Sequence, residues 1–126
     1  MSWVADTSWL YAMADELDSH HRSALSEARH PEPVEIPPII MAETLLLVQY
    51  RRGKAAAEAA LREIEKLPHF VLGQGTSHPE IVKIWRANAH LSYPDAAAVA
   101  AAWVKRFGLR SFDLRQLKAL EEMGTR

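Results

Sequence analysis

Four acidic residues stand out because of the positions they take in the predicted elements. They are Asp6, Glu43, Asp95 and Asp113. Asp6 follows the short apolar run 3–5 and Asp113 follows the segment 109–112, and both stretches predict buried strands. An acid at the end of a buried strand is well placed to bind a metal ion or to exchange a proton. Each acid can also be explained by a purely structural role. Only the four acids taken together distinguish a functional role from a structural one.

Glu43 lies on the predicted helix 38–52, on the side that the apolar residues define. Ile40, Leu47 and Tyr50 share one face of this helix. Glu43 fills the gap in their spacing of three or four residues, which predicts that it faces the core. An ionised carboxylate there is costly unless it is paired or binds a metal. A salt bridge to a buried arginine and a metal ligand are equally consistent with this pattern.

The three aspartates lie at predicted helix starts, where acids are common for structural reasons. Asp95 stands in a first turn, where the helix dipole favours an acid by about 0.3–1 kcal/mol. It also shares a face with Val99 and Ala102, so its side chain is predicted to point inward. Asp6 and Asp113 can serve as N-caps, a role worth about 1 kcal/mol. Taken singly, each of these two is more often a cap than a ligand.

Taken together, the four carboxylates favour a metal site. No matching cluster of buried cations accompanies them, and two carboxylates at about 5 Å repel by roughly 3 kcal/mol at an effective dielectric of about 20. A divalent cation relieves this repulsion, and an all-oxygen set suits Mg²⁺ or Mn²⁺ rather than zinc. Such centres activate a water for attack on phosphorus. The set therefore predicts metal-dependent hydrolysis of phosphodiesters.

Hydrophobic periodicity predicts alternating strands and helices around these acids. Strands are predicted at residues 3–5, 34–36, 70–72 and 109–112. Helices are predicted at residues 9–13, 19–29, 38–52, 54–66, 78–91, 94–107 and 114–123. This alternation is typical of an α/β fold with a central parallel sheet of about four strands flanked by helices, in three layers. Ligands of such sheets bind beyond the carboxyl ends of the strands, where Asp6 and Asp113 fall.

Length and composition predict a single globular domain over residues 1–126. Hydrophobic residues make up 48% and charged residues 25%, an ordinary balance for a packed core with a solvated surface. There is no cysteine, which excludes disulfides, thiolate zinc sites and cysteine nucleophiles. The start lacks the features of a signal peptide, and the apolar run 96–104 is far shorter than the about 20 residues that span a bilayer. We expect a soluble, cytoplasmic protein with no membrane partner.

Four segments resemble the PIN domain, in particular the VapC-type toxins of bacterial and archaeal toxin–antitoxin pairs. The segments are VADTSWLYAMADELDSHH, IPPIIMAETLLL, LSYPDAAAVAAAW and GLRSFDLRQLKAL. They occur in order, with family-like spacing, over essentially the whole chain. By this resemblance the four acids fall on the metal-binding positions of the family. Thr7 and Ser8 form the polar pair after the first aspartate, and Ser111 takes a place often filled by threonine.

The resemblance implies a fold, an activity and two partners. The activity is that of a Mg²⁺- or Mn²⁺-dependent endoribonuclease, and the partners are a second copy in a homodimer and a small inhibitory antitoxin. Many relatives continue past the last helix to a short edge strand. The ending of this chain over residues 121–126 puts that fifth strand in doubt.

Several other residues have a functional and a structural interpretation. Six cations are candidates for an RNA path, although solvated helix faces are the commoner role: Lys83, Arg86, Lys105, Arg106, Arg115 and Lys118. Trp85 and Trp103 have the spacing of core residues rather than of base-stacking ones. Arg110 is expected at a sheet edge in preference to a phosphate contact. The alanines over residues 96–102 fit either a dimer interface or close packing within the chain.

Two other function classes remain as alternatives to the ribonuclease. A non-catalytic PIN-like module would bind RNA or a protein partner without turnover, and the complete acidic set argues against it. A phosphoacceptor signalling domain also gathers acids at strand ends. Such domains need adjacent acids after the first strand, whereas Thr7 follows Asp6 here.

Overall fold

The computed structural model of the chain describes residues 1–124. Within these residues four strands form: β1 (Trp3–Ala5), β2 (Val34–Ile36), β3 (Phe70–Leu72) and β4 (Gly108–Arg110). Seven helices connect and follow them: α1 (Thr7–Ala14), α2 (His21–Ala28), α3 (Pro38–Arg52), α4 (Lys54–Glu65), α5 (His78–Ala87), α6 (Tyr93–Lys105) and α7 (Leu114–Met123). No fifth strand occurs in this part of the chain, and residues 125 and 126 lie outside the described residues.

The strands form one parallel sheet in the order β3-β2-β1-β4. Val4 of β1 is flanked by Glu35 of β2 and Leu109 of β4, so these side chains share one face of the sheet. Lys105 of α6 forms an ion pair with Glu35, which places α6 on that face. Because β1 and β4 pair in parallel, their carboxyl ends are neighbours. Asp6 directly follows the end of β1.

The opposite face of the sheet carries Arg110, at the end of the edge strand β4. Its guanidinium pairs with Glu27 of α2 and lies 3.8 Å from the ring centroid of Trp3. Helices therefore cover both faces, and the predicted three-layer α/β architecture is confirmed. Arg110 is an edge residue, as expected, and its charge is engaged within the fold rather than offered to a phosphate.

Helix α6 runs through the centre of the molecule. All seven residues from 96 to 102 are buried within the single chain. The helix packs on β1 and β4 and against α3, α5 and α7, and small side chains allow this close approach. The alanine-rich segment therefore serves packing within the chain, one of the two roles that its composition allows.

Most predicted elements are confirmed, several of them to the residue. The bounds of β1, β2, β3, α3 and α7 are those predicted. Pro38 begins α3, and Gly53 ends it with a φ of 91°, a backbone conformation that glycine adopts without strain. Helix α6 ends at Lys105 because Arg106 turns into the left-handed region at a φ of 58°. Strand β4 runs from Gly108 to Arg110. It thus begins one residue before its predicted start at 109 and ends two residues before its predicted end at 112.

Two of the helix ends that differ from prediction do so because a polar side chain offers the backbone another hydrogen bond. Helix α2 begins at His21 rather than at residue 19, since Asp18 Oδ1 accepts the N–H of His20 at 2.8 Å in a turn before the helix. Helix α5 ends at Ala87 rather than at residue 91. Asn88 leaves the helical conformation there, and its side-chain amide donates to the carbonyl of Ile84 at 2.8 Å.

The predicted burial of two aromatic residues is wrong. Tyr50 is 87% exposed and Trp85 is 45% exposed. Helix α3 buries a stripe rotated by about one residue from the predicted one, formed by Ile40, Thr44 and Val48. The period of a helix identifies a face, but the neighbouring elements decide how far round that face is covered. Among residues 1–124, every helix is too short or too polar to span a membrane.

Candidate active site

Asp6 is the first residue after the central strand β1, and its side chain is completely buried. It is the N-cap of α1, because its Oδ1 accepts the backbone N–H of Trp9 at 3.0 Å. Its own N–H continues the pairing of β1 with β4 by donating to the carbonyl of Arg110 at 3.1 Å. The strand and the helix together fix this carboxylate in one position at the carboxyl end of the sheet.

Two serines bind the carboxylate of Asp6, and their hydroxyl oxygens lie 3.4 Å apart. Ser111, just after β4, donates to Asp6 Oδ2 at 2.7 Å, and Ser8 of α1 donates to Oδ1 at 2.9 Å. The Ser8 hydroxyl also accepts the backbone N–H of Phe112 at 3.0 Å. These hydroxyls join the segments after β1 and after β4 into one polar network around Asp6.

Asp95 opens α6 and contributes a second acid beside Asp6. It forms a capping box with Ser92: the Asp95 N–H donates to Ser92 Oγ at 3.2 Å, and the Ser92 N–H donates to Asp95 Oδ2 at 3.1 Å. The other oxygen, Oδ1, accepts the side-chain amide of Gln116 at 3.0 Å. Both oxygens are therefore held, and the inward direction predicted for Asp95 agrees with its contact to the buried Gln116.

Gln116 is a residue of the site that the sequence did not reveal. Its side chain is 2% exposed, and it lies on α7 one turn after Asp113. The amide donates to Asp95 and, through a further hydrogen bond, lowers the pKa of Asp113. Its Oε1 is buried without a hydrogen-bond partner among residues 1–124. A neutral glutamine on a mixed helix carries no signal of charge or spacing that marks it as functional.

Asp113 caps α7 and is engaged by a cation. Its Oδ1 accepts the N–H of Arg115 at 2.9 Å, and the Arg115 guanidinium donates to both carboxylate oxygens at 3.2 Å. Partial burial raises the pKa of Asp113, but the hydrogen bonds and charge of Arg115 outweigh it and lower the pKa below its ordinary value. Asp113 is therefore ionised and paired.

Glu43 lies at the edge of the buried face of α3 rather than in its centre, because the core-facing stripe passes through Ile40 and Thr44. Its half-buried carboxylate accepts a hydrogen bond from the hydroxyl of Thr7. This contact links α3 to the residue that follows Asp6. No salt bridge to an arginine is formed by Glu43 within residues 1–124, so that structural explanation of its position is not supported.

The electrostatics of Asp6 are those of an acid that lacks a cation. Burial raises the pKa of Asp6, hydrogen bonds from Ser111, Trp9 and Ser8 lower it in part, and the charge of Asp95 raises it again. The net pKa is above the ordinary value for an aspartate. Within residues 1–124, Asp6 is surrounded by uncharged hydrogen-bond donors and forms no salt bridge.

The structure brings the four acids into one region but not into one ligand sphere. The charge of Asp95 raises the pKa of Asp6, Glu43 accepts a hydrogen bond from Thr7 next to Asp6, and Asp113 is linked to Asp95 through Gln116. Within residues 1–124, however, no three acidic or histidine side chains stand close enough to hold one metal ion as they are. The carboxylate oxygens are suitable ligands for a hard divalent cation. Asp6 accepts hydrogen bonds from uncharged donors, and Asp95 is held by Ser92 and Gln116. Glu43 is bound by Thr7 and Asp113 by Arg115, so these contacts would have to change for the four acids to share one ion.

An open cleft of about 590 Å³ leads to this region. Thr7 and Ser8 line it on one side and Asp113 and Arg115 on the other, with Arg51 at the rim. Of the six cations considered for an RNA path, only Arg115 lines this cleft. Lys105 is instead paired with Glu35, away from it. Acidic and basic side chains both line this cleft, namely Asp18 and Asp113 with Arg51 and Arg115, whereas Asp6, Glu43 and Asp95 are not among its lining residues.

Comparison with solved structures decides the fold. The VapC20 toxin of Mycobacterium tuberculosis, described as cleaving the sarcin–ricin loop, superposes with a TM-score of 0.74 at 22% identity, over 98% of this chain and 96% of that one. A protein of Pyrobaculum aerophilum gives a TM-score of 0.63 at 21% identity, over 98% and 95% of the two chains. This chain has the fold of these proteins. The PIN-like architecture predicted from the sequence is therefore confirmed.

Sequence comparisons add no further assignment. No family model matches the chain. No curated protein matches it either. The likeness rests on three-dimensional structure, and the activity has to be argued from the site itself.

Proposed function

We propose that this protein is a metal-dependent endoribonuclease, a PIN-domain hydrolase that cuts RNA phosphodiester bonds. The observation that carries the proposal is the completely buried carboxylate of Asp6 at the carboxyl end of β1, whose pKa the charge of Asp95 raises and with which no cation among residues 1–124 pairs. Burying an unpaired carboxylate is costly, so a fold that retains one has a use for it.

The residues of the chain divide the work of such a site. Asp6 and Asp95 would hold Mg²⁺ or Mn²⁺, with Ser8 and Ser111 orienting Asp6 and Gln116 orienting Asp95. Glu43 and Asp113 complete the acidic set, and the Thr7 hydroxyl and the Arg115 guanidinium are the groups that now engage them. When bound, the ion supplies an activated water and stabilises the leaving oxygen. Arg115, at the rim, can grip a phosphate of the RNA.

We further propose that the chain is the toxin of a toxin–antitoxin pair. The support is the fold shared with VapC20 over nearly the whole length of both chains, together with the acidic site. The partners would then be RNA as substrate, a cognate antitoxin protein, and a second copy of the chain in a homodimer. The antitoxin would bind the toxin and block cleavage until it is removed.

A non-catalytic binding module is the second candidate, and one observation favours it. Arg115 pairs with Asp113, and within residues 1–124 no three acidic or histidine side chains lie close enough to hold one ion. If these contacts do not open, RNA could occupy the cleft without being cut. The two candidates differ in turnover and in their response to metal.

The deciding experiment is cleavage of a mixed cellular RNA by the purified protein in Mn²⁺, with EDTA, Asp6→Asn and Glu43→Gln as controls. The ribonuclease proposal expects cuts that disappear in all three controls. Antitoxin carried through purification must first be excluded by mass spectrometry. Uncut RNA from folded, inhibitor-free protein contradicts the proposal, and retention of that RNA supports the binding module.

A further inference from the structure

The cleft beside Asp113 has a wall that the acidic chemistry leaves unused. His20 and Phe112 stack there with their ring centroids 4.3 Å apart and their planes 9° from parallel. Both residues line the cleft of about 590 Å³ that also reaches Ser8 and Asp113. A flat aromatic surface thus lies next to the candidate catalytic residues.

The position of this stack is tied to the site. Phe112 lies between β4 and α7, and its N–H donates to Ser8 Oγ, the hydroxyl that also binds Asp6. His20 precedes α2, where Asp18 holds its backbone N–H at 2.8 Å. The Phe112 side chain is half-buried and that of His20 is exposed, so the imidazole is the ring that meets solvent. An incoming flat group would therefore stack on His20, with Phe112 behind it.

The rest of the cleft has the chemistry of a nucleotide site. Leu114 contributes apolar surface, being 79% exposed, and Arg51 and Arg115 are exposed cations at the rim. Asp18 and Asp113 line the same cleft, so an anion without a flat apolar part would gain little there. A ligand with an aromatic base and a phosphate matches rings, apolar surface and cations together.

We propose that the exposed face of His20, backed by Phe112, stacks on an unpaired nucleobase next to the phosphate that is cut. This inference rests on the proposed ribonuclease function and adds a residue that positions the substrate, namely an exposed ring that holds a base next to the phosphate. A base inside a duplex is covered by its neighbours and cannot reach a protein ring, whereas a base in a loop can turn out and stack on one.

The test measures stacking and affinity without cleavage. A short single-stranded RNA with one 2-aminopurine is titrated with the wild-type protein in EDTA, following fluorescence anisotropy for affinity and 2-aminopurine quenching for stacking. His20→Ala should weaken binding about tenfold and abolish the quenching. His20→Phe keeps a ring and should retain both signals, whereas His20→Lys replaces the ring with a cation and should lose the quenching. His30→Ala, at an exposed histidine that does not line the cleft, should change neither.

Three results overturn the proposal: unchanged binding and quenching in His20→Ala, wild-type behaviour of His20→Lys with loss in His20→Phe, or equally tight binding and quenching by a duplex of the same sequence. Thermal melting of each variant shows that it is folded. The Mn²⁺ cleavage assay and this binding assay test different properties, so either can give a negative result without the other. If the wild type does not cut RNA but its quenching depends on His20, the ribonuclease proposal fails and the nucleobase site stands.

Discussion

The hydroxyl of Ser111 donates a 2.7 Å hydrogen bond to Oδ2 of Asp6, joining the segment after the edge strand to the end of the central strand. This bond lowers the pKa of Asp6 against the larger effect of burial, which raises it. The serine therefore offsets part of the cost of keeping a carboxylate in the core. The remaining cost of burying this carboxylate determines how the stability of the metal-free protein responds to pH and to replacement of Asp6.

Replacing Asp6 with asparagine should stabilise the protein at neutral pH in the absence of metal. The pKa of folded Asp6 is raised above its ordinary value of 3.8, so its contribution to stability is fully present below that value and is lost as pH rises through the folded pKa. In EDTA at pH 7.5 we expect Asp6→Asn to melt about 3–6 °C above the wild type, on the order of 1 kcal/mol. The gap should narrow toward pH 4.

A matched aspartate gives the opposite sign. Burial raises the pKa of Asp15. The hydrogen bonds from the Tyr11 hydroxyl and the Leu17 N–H, together with Arg52, lower it by more, so the net pKa is below the ordinary value. Asp15 thus contributes stability above its unfolded pKa, and Asp15→Asn should melt below the wild type at pH 7.5. An Asp6→Asn variant that also melts lower would show that Asp6 is not electrostatically unfavourable.

Mn²⁺ should raise the melting temperature of the wild type and leave that of Asp6→Asn unchanged.

Gln116→Met should weaken metal binding while leaving the metal-free fold intact. The amide donates to Asp95 and supports Asp113, and loss of such orienting groups typically costs 10- to 100-fold, or about 1–3 kcal/mol, in metal affinity. Methionine has a similar volume and removes an Oε1 that is buried without a partner, so the melting temperature in EDTA should change little. Mn²⁺ titration by calorimetry measures the effect. Gln49→Met, at an exposed position of α3, is the control, and equal Mn²⁺ affinity in both variants would contradict this role.

Arg115→Ala should strengthen Mn²⁺ binding and weaken RNA binding. The guanidinium, which is 62% exposed, competes with any metal ion for Asp113, and its removal frees that carboxylate. Because an exposed pair is screened by water, we expect a gain of about 2- to 5-fold in Mn²⁺ affinity. Loss of one phosphate contact should lower RNA affinity and reduce its salt dependence by about one charge. Lys118→Ala, one turn further along α7, controls for a general change of surface charge. The prediction requires that the affinity for Mn²⁺ rises and the affinity for RNA falls. A loss of both affinities would show that Arg115 does not compete with metal.

Arg110→Met should destabilise the fold without changing RNA binding. The arginine is 12% exposed, pairs with Glu27 and stacks on Trp3, so its loss leaves a half-buried carboxylate without its cation. A cost of about 1–3 kcal/mol is expected for a pair of this kind. Chemical denaturation measures it against Arg29→Met, at an exposed position of the helix cap. A change in RNA affinity at constant stability would restore the phosphate-contact interpretation of Arg110.

The sequence predicted the sheet well because its strands are short and clearly bounded, even though Val71 and Leu72 of β3 are exposed. The runs 3–5, 34–36 and 70–72 each end at a residue that turns the chain, and all three were placed to the residue. Helix ends were harder, since Asn88 and Asp18 end or delay a helix through a single side-chain hydrogen bond. A pattern of apolar residues contains no information about such a bond.

The site was only partly predictable for a related reason. Asp6 and Asp113 follow strands and could be placed at one edge of the sheet from topology alone. The pairing of Asp113 with Arg115, and the contact of Glu43 with Thr7 in place of a core position, depend on rotamers and on which elements cover α3. Gln116 is uncharged and makes its contact only after α6 and α7 have packed together.

Two of the candidate catalytic acids are also helix N-caps, Asp6 for α1 and Asp113 for α7. A descendant of this protein that lost its activity would still need those helices to start where they do. Drift at these positions is therefore expected to favour asparagine and serine, which cap a helix but carry no charge. Glu43, which caps nothing, would change more freely. The pattern of substitutions in inactive relatives would thus separate the acids retained for folding from the one retained for chemistry alone.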